Sequence, residues 1–124
     1  MNALGLQTIS QIAIIVHDLE KALVFYRDVL GIPFLFKAPN LAFFNCGSIR
    51  LMLGLPETPE FDHPGSIIYF KVDDLNTTFE TLIGRGVKFK DQPHLVAKLP
   101  DHELWMTFFE DLDKNIFALM SEVR

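Results

Sequence analysis

The stretch Ile12–Phe34, IAIIVHDLEKALVFYRDVLGIPF, decides the fold because the chain repeats it as IIYFKVDDLNTTFETLIGRGVKF at Ile67–Phe89. Val16, Asp18 and Leu19 return 56 positions later as Val72, Asp74 and Leu75. Gly31 and Phe34 return after 55 positions, as Gly86 and Phe89, so the second copy has lost one helical residue. Self-similarity at a fixed period outranks any local reading. Two copies are too few for an open stack of repeats, so the halves are expected to cover each other, with a site at their junction.

Inside the first copy, Ile12, Ile14 and Val16 share one parity of a short apolar run, and Gln11, Ala13 and Ile15 share the other. This reads as a strand with both faces mostly buried. Asp18 reads as a helix N-cap, since its carboxylate can accept from the free amides of the next turn. Leu19, Ala22, Leu23, Tyr26, Val29 and Leu30 then recur at helical spacing, and Gly31 is the C-terminal stop. Three apolar runs follow, 32–36, 41–45 and 49–53, separated by turn-forming residues. The second copy has the same grammar: strand 67–72, cap Asp74, a helix with Leu75, Thr78, Phe79, Leu82 and Ile83 on one side, and the stop Gly86. Strands are expected at 87–89, running on toward 96, then at 104–109 and 116–120.

Each half is therefore βαβββ. The whole is α+β: two βαβββ modules forming a cup-shaped, partly open mixed sheet within one domain, residues 1–124. Module one runs from about 9 to 55, the Pro- and acid-rich connector from 56 to 65, and module two from about 66 to 122.

Composition narrows the function. A net charge of -5, and 11 Lys and Arg with no basic run, argue against nucleic acid and against a membrane surface. The opening MNALGLQTIS lacks a basic region followed by a long apolar stretch, and no segment approaches 18 apolar residues. With one cysteine, Cys46, no internal disulfide can form, and a cytoplasmic location is expected. Twelve phenylalanines, of which Phe34, Phe36, Phe43, Phe44, Phe108 and Phe109 cluster in the meander strands, suggest a core together with a subunit interface or an aromatic ligand cavity, and a homodimer is expected.

Two stretches, IAIIVHDLEKALVFYRDVLGIPF and FFEDLDKNIFALMSE, resemble the vicinal oxygen chelate superfamily of glyoxalase I, extradiol dioxygenases and bleomycin-binding proteins. In the second stretch Leu112 and Lys114 stand where that family usually has proline and glycine. The resemblance implies a glyoxalase-like fold and, in metal-dependent members, one divalent cation held by the first and fourth strands of each module. The corresponding positions here are Gln11, Met52, Ile67 and Ala118. Ile67 and Ala118 have no lone pair, and a thioether is a poor ligand for hard or borderline ions. No metal and no other cofactor is therefore expected.

The polar residues not explained by capping gather in PHLVAKLPDHELW, Pro93–Trp105. His94, His102 and Glu103 have acid/base capacity, and Trp105 can wall a ligand; the plainer reading is an exposed hairpin tip beside a core tryptophan. Tyr69 and Lys71 share a parity that faces the cup, and an ammonium or phenol there can orient an anionic or carbonyl oxygen; the plainer reading is that Lys71 snorkels at the strand end and Tyr69 only packs. Gln11, Arg50 and Met52 should face the cup of module one, with Arg50 suited either to a ligand carboxylate or phosphate or, equally, to an acid on the protein surface. Two classes of function follow. One is a metal-free binding module for a small molecule held in the cup between modules. The other is a lyase or isomerase working through His94 or Glu103, with no metal or with a displaced one.

Overall fold

A computed structural model describes residues 4–124; residues 1–3 of the opening segment lie outside the described residues. The chain separates into two compact units, one ending at Gly65 and the other spanning Ser66–Arg124.

Module one begins with β1 (Gln11–Ile15). Helix α1 (Leu19–Val24) starts where the Asp18 carboxylate accepts from the Lys21 amide at 3.1 Å. It continues as a π turn, Phe25–Val29. Gly31, at φ 74°, then reverses the chain in the left-handed region that suits a residue without Cβ. Strands β2 (Phe34–Ala38), β3 (Leu41–Cys46) and β4 (Ile49–Gly54) form the meander. The sheet order is β1-β4-β3-β2, with β1 parallel to β4 and the other pairs antiparallel.

One sheet face carries Ile14, Val16, Ala42, Phe44, Leu51 and Leu53, all buried, against Ala22, Leu23 and Tyr26 of the helical segment. The Tyr26 and Phe44 rings meet at 6.0 Å between centroids. The opposite face differs from the expectation of burial on both sides: Gln11 and Ala13 are exposed and Ile15 only half-buried. The helix covers one face, and module one supplies no second layer for the other.

Module two repeats the plan. After β5 (Ile68–Lys71), α2 (Leu75–Gly84) is capped by Asp74, which accepts from the Thr77 amide at 3.0 Å. Strands β6 (His94–Lys98), β7 (Glu103–Glu110) and β8 (Ile116–Val123) complete a sheet of order β5-β8-β7-β6. Phe79 of α2, Phe89, Phe109 and Phe117 form a chain of rings with successive centroids 4.6, 5.4 and 5.6 Å apart, the core of this unit. The second strand of the module lies at His94–Lys98, later than the sequence reading put it. Phe89 makes only an isolated bridge to Phe109, because Asp91 interrupts the ladder by accepting from the Thr107 hydroxyl at 2.7 Å and the Phe108 amide at 2.9 Å. The last turn is held by the buried Asp111, whose carboxylate accepts from the amides of Asp113 and Asn115 at 2.8 Å each.

Candidate functional site

The open face of module one is built by cross-strand register. Gln11 of β1 stands opposite Arg50 of β4, which stands opposite Asn45 of β3. The next row on the same face is Ala13, Met52 and Phe43, and the third is Ile15, Gly54 and Leu41. Directly opposed residues point to one face. The face thus grades from a polar row to two apolar ones.

The polar row is internally connected. Arg50 donates from Nε to the Gln11 Oε1 at 3.0 Å, and Gln11 donates from Nε2 to the Met52 sulfur at 3.6 Å. The Arg50 guanidinium carbon lies 5.3 Å from the centroid of the Phe43 ring, within reach of a cation–π attraction. Phe43 in turn stacks on Phe36 of β2 at 4.5 Å. Gln11, Arg50 and Met52, chosen from the family's ligand positions and strand parity, are linked through Gln11. Phe43 was missed as their partner, since its position over Arg50 depends on which strands pair.

Beside this row is a cavity of about 250 Å³ wholly within module one. Its walls are Ala13, Ile15, Leu41 and Met52 from the sheet, with Leu55 just after β4 and Phe61 from the connector. Glu57 and His63 also border it. His63 Nδ1 lies 3.0 Å from the Pro64 carbonyl oxygen, and the neighbouring Asp62 pairs with His17 at 2.8 Å.

In module two the corresponding open face carries Tyr69 and Lys71. Tyr69 meets Phe108 edge-on at 6.0 Å, and the Lys71 ammonium lies 3.4 Å from a Glu122 carboxylate oxygen. Both are exposed. His94 pairs with Met106, which pairs with Met120, the partner of Lys71, so these four share the face. His94 Nδ1 lies 2.9 Å from the Gln92 carbonyl oxygen.

Glu103 and Trp105 alternate with Met106 along β7 and so lie on the other face, where the Trp105 indole donates to Glu103 at 3.2 Å. Both line a hollow at the start of α2. His102 sits at the β6–β7 turn, its Nδ1 2.7 Å from Asp101 Oδ1. His102 and Arg124 together hold the Asp101 carboxyl below its ordinary value. His102 and Glu103 border one shallow hollow, but His94 is not part of it. The three candidate acid/base groups are therefore not brought together. Among the described residues, no cluster of three or more His, Cys, Asp or Glu is placed to hold a metal ion. Cys46, at the end of β3, is a free thiol.

The family metal positions can be tested on chemistry. Ala13 pairs with Met52 and Tyr69 pairs with Ala118, so Met52 and Ala118 occupy equivalent places in the two sheets. The one oxygen donor, the Gln11 amide, already accepts from a guanidinium, whose positive charge opposes a second cation there. This donor set does not fit a divalent metal.

Residues 8–119 match the model of the Glyoxalase/Bleomycin resistance protein/Dioxygenase superfamily. A crystal structure of a member of that superfamily from Sphaerobacter thermophilus is 31% identical, with a TM-score of 0.78 over 96% of this chain and 100% of that one. Two more distant structures share the fold at 23% identity. One is the antibiotic-binding protein TnmS3 from Streptomyces (TM-score 0.77; 97% of this chain, 99% of that one). The other is lactoylglutathione lyase from Agrobacterium tumefaciens (TM-score 0.74; 94% and 95%). A binder and a lyase on one fold show that architecture does not choose between them. The paired βαβββ modules, their strand order and the match over most of the chain agree: this protein belongs to the glyoxalase/bleomycin resistance/dioxygenase superfamily.

Proposed function

We propose that this chain is a metal-free small-molecule-binding protein of the bleomycin-resistance type, acting as a homodimer in the cytoplasm, with its ligand on the open sheet face. The observation that carries the reading is the Arg50–Gln11–Met52 contact. Where metal-dependent relatives place electron-pair donors, this chain has an amide already in use, a thioether and two hydrocarbon side chains, with the Arg50 guanidinium bonded to that amide. Such a set attracts an anionic or polarisable ligand and repels a metal ion. An apolar cavity with one polar flank is also the usual form of a small-molecule site. An enzyme working through His94 or Glu103 would have to use one without the other, since their strand register sets them on opposite faces.

Native mass spectrometry with elemental analysis of the purified protein tests the proposal. The expected result is no stoichiometric divalent metal and a mass of two chains. One zinc, nickel, iron or manganese per chain overturns the metal-free reading.

A further inference from the structure

Building on the small-molecule reading above, we infer that the ligand is a hydrophobic carboxylate, its anionic group on Arg50 and Gln11 and its apolar body in the module-one cavity.

Charge pairing gives the first reason. The chain has 16 Asp and Glu against 11 Lys and Arg, so an arginine here has a wide choice of acids. Among the described residues Arg50 forms no ion pair; its side chain donates to the neutral Gln11 amide and lies against the Phe43 ring. A guanidinium has five N–H donors in a planar fork. With Nε on Gln11, the terminal amino groups are left to grip a carboxylate, and the aromatic contact holds the plane in position. Gln11 Nε2 rests on a sulfur, a weak acceptor that a carboxylate oxygen would replace with gain. Asn45 closes the far end of the same row.

Spacing gives the second reason. Successive residues on one strand face lie about 7 Å apart. The carboxylate row therefore sits about 7 Å from the Ala13–Met52 row and about twice that from the Ile15–Gly54 row. Met52 belongs both to the polar contact and to the cavity wall, so the two subsites are continuous. Glu57 borders the cavity, and its carboxylate repels an anion bound in the reverse sense, with its charged end inside. At about 250 Å³ the cavity falls just below the roughly 300–1,000 Å³ of most ligand pockets, which suits a short chain or a single ring.

The test uses isothermal titration of the full chain with octanoate, octan-1-ol and octylamine at neutral pH and low salt. Octanoate should bind at least about tenfold more tightly than octanol, and octylamine should bind most weakly. In Arg50→Gln the advantage of octanoate over octanol should vanish. In Ala13→Phe both should weaken, with circular dichroism confirming that each variant is folded. Equal binding of octanoate and octanol, a preference that survives in Arg50→Gln, or no binding of either overturns the inference. None of these outcomes bears on metal content, which is what decides the reading beneath it.

Discussion

Lys114 holds a backbone angle that its side chain opposes. Its φ is 64°, in the left-handed region where Cβ crowds the following carbonyl, and the resembling family usually has glycine at this place. The turn persists because Asp111 binds it from within: one carboxylate oxygen takes two amides and the other takes the Asn115 side chain at 2.8 Å. Lys114→Gly should relieve strain of about 1–2 kcal/mol and give back about 0.5–1 kcal/mol in unfolded-chain entropy. A net gain of roughly 0.5–1 kcal/mol in urea-unfolding free energy is expected, and an unchanged or lower midpoint would contradict it. Single residues were also where the site was most legible. The family's ligand positions named Gln11 and Met52, and strand parity then added Arg50 to their face, because alternation is a local property. The Phe43 ring beneath Arg50 was not legible, since it arrives by pairing of β3 with β4. For the same reason His94, His102 and Glu103, close in sequence, do not meet: one residue of offset across a strand changes the face.

The two helices explain the uneven repeat at the scale of an element. The first comprises six residues of α-helix and five of π turn, whereas α2 has ten residues in all. A π turn spans one residue more than an α turn. The residue gained between Leu19 and Gly31, relative to Leu75 and Gly86, is absorbed there. Both ends keep their caps and both helices keep their buried stripes. Deleting Arg27, exposed within the π turn, should let the segment wind as α-helix with a stability change of about 1 kcal/mol or less. Deleting Thr81 from the regular α2 should instead rotate Leu82 off the core and prevent folding; circular dichroism and urea unfolding of the two deletions decide it. The caps also carry a pH signature. Backbone and side-chain hydrogen bonds from Thr77 hold the Asp74 carboxyl below its usual 3.8. A folded-state value below the unfolded one adds stability that is complete above the unfolded value and lost as pH falls through the folded one. Asp74→Asn, which still caps but cannot titrate, should therefore lose less stability than wild type between pH 5 and about pH 3. Parallel pH profiles of the urea midpoint would remove Asp74 from the account. The order of strands and helices was legible because apolar period and caps are local; the π turn was not, and β6 was misplaced because Asp91, a side chain, stands in for ladder bonds that composition cannot reveal.

At the scale of the whole molecule, repetition leaves each sheet with comparable liabilities. β2 and β6 end their respective sheets. Each presents exposed apolar side chains: Leu35 and Phe36 on one, Leu95 and Val96 on the other. An uncovered edge with apolar residues invites another chain. Each edge strand also carries a lysine, Lys37 and Lys98, a device that discourages indefinite strand addition. Attraction limited in this way favours a closed pair over a growing fibre. A net charge of -5 on each chain opposes that pair, and salt screens the opposition. The 14.2 kDa chain should therefore sediment as a dimer whose dissociation constant falls as salt is raised from low to physiological. Placing lysine at both Leu35 and Val96 should yield a monomer with an unchanged far-ultraviolet dichroism spectrum. If the double variant still sediments as a dimer, these edges are not the contact; if wild type is monomeric at all salt concentrations, the edge lysines alone suffice to keep the chains apart.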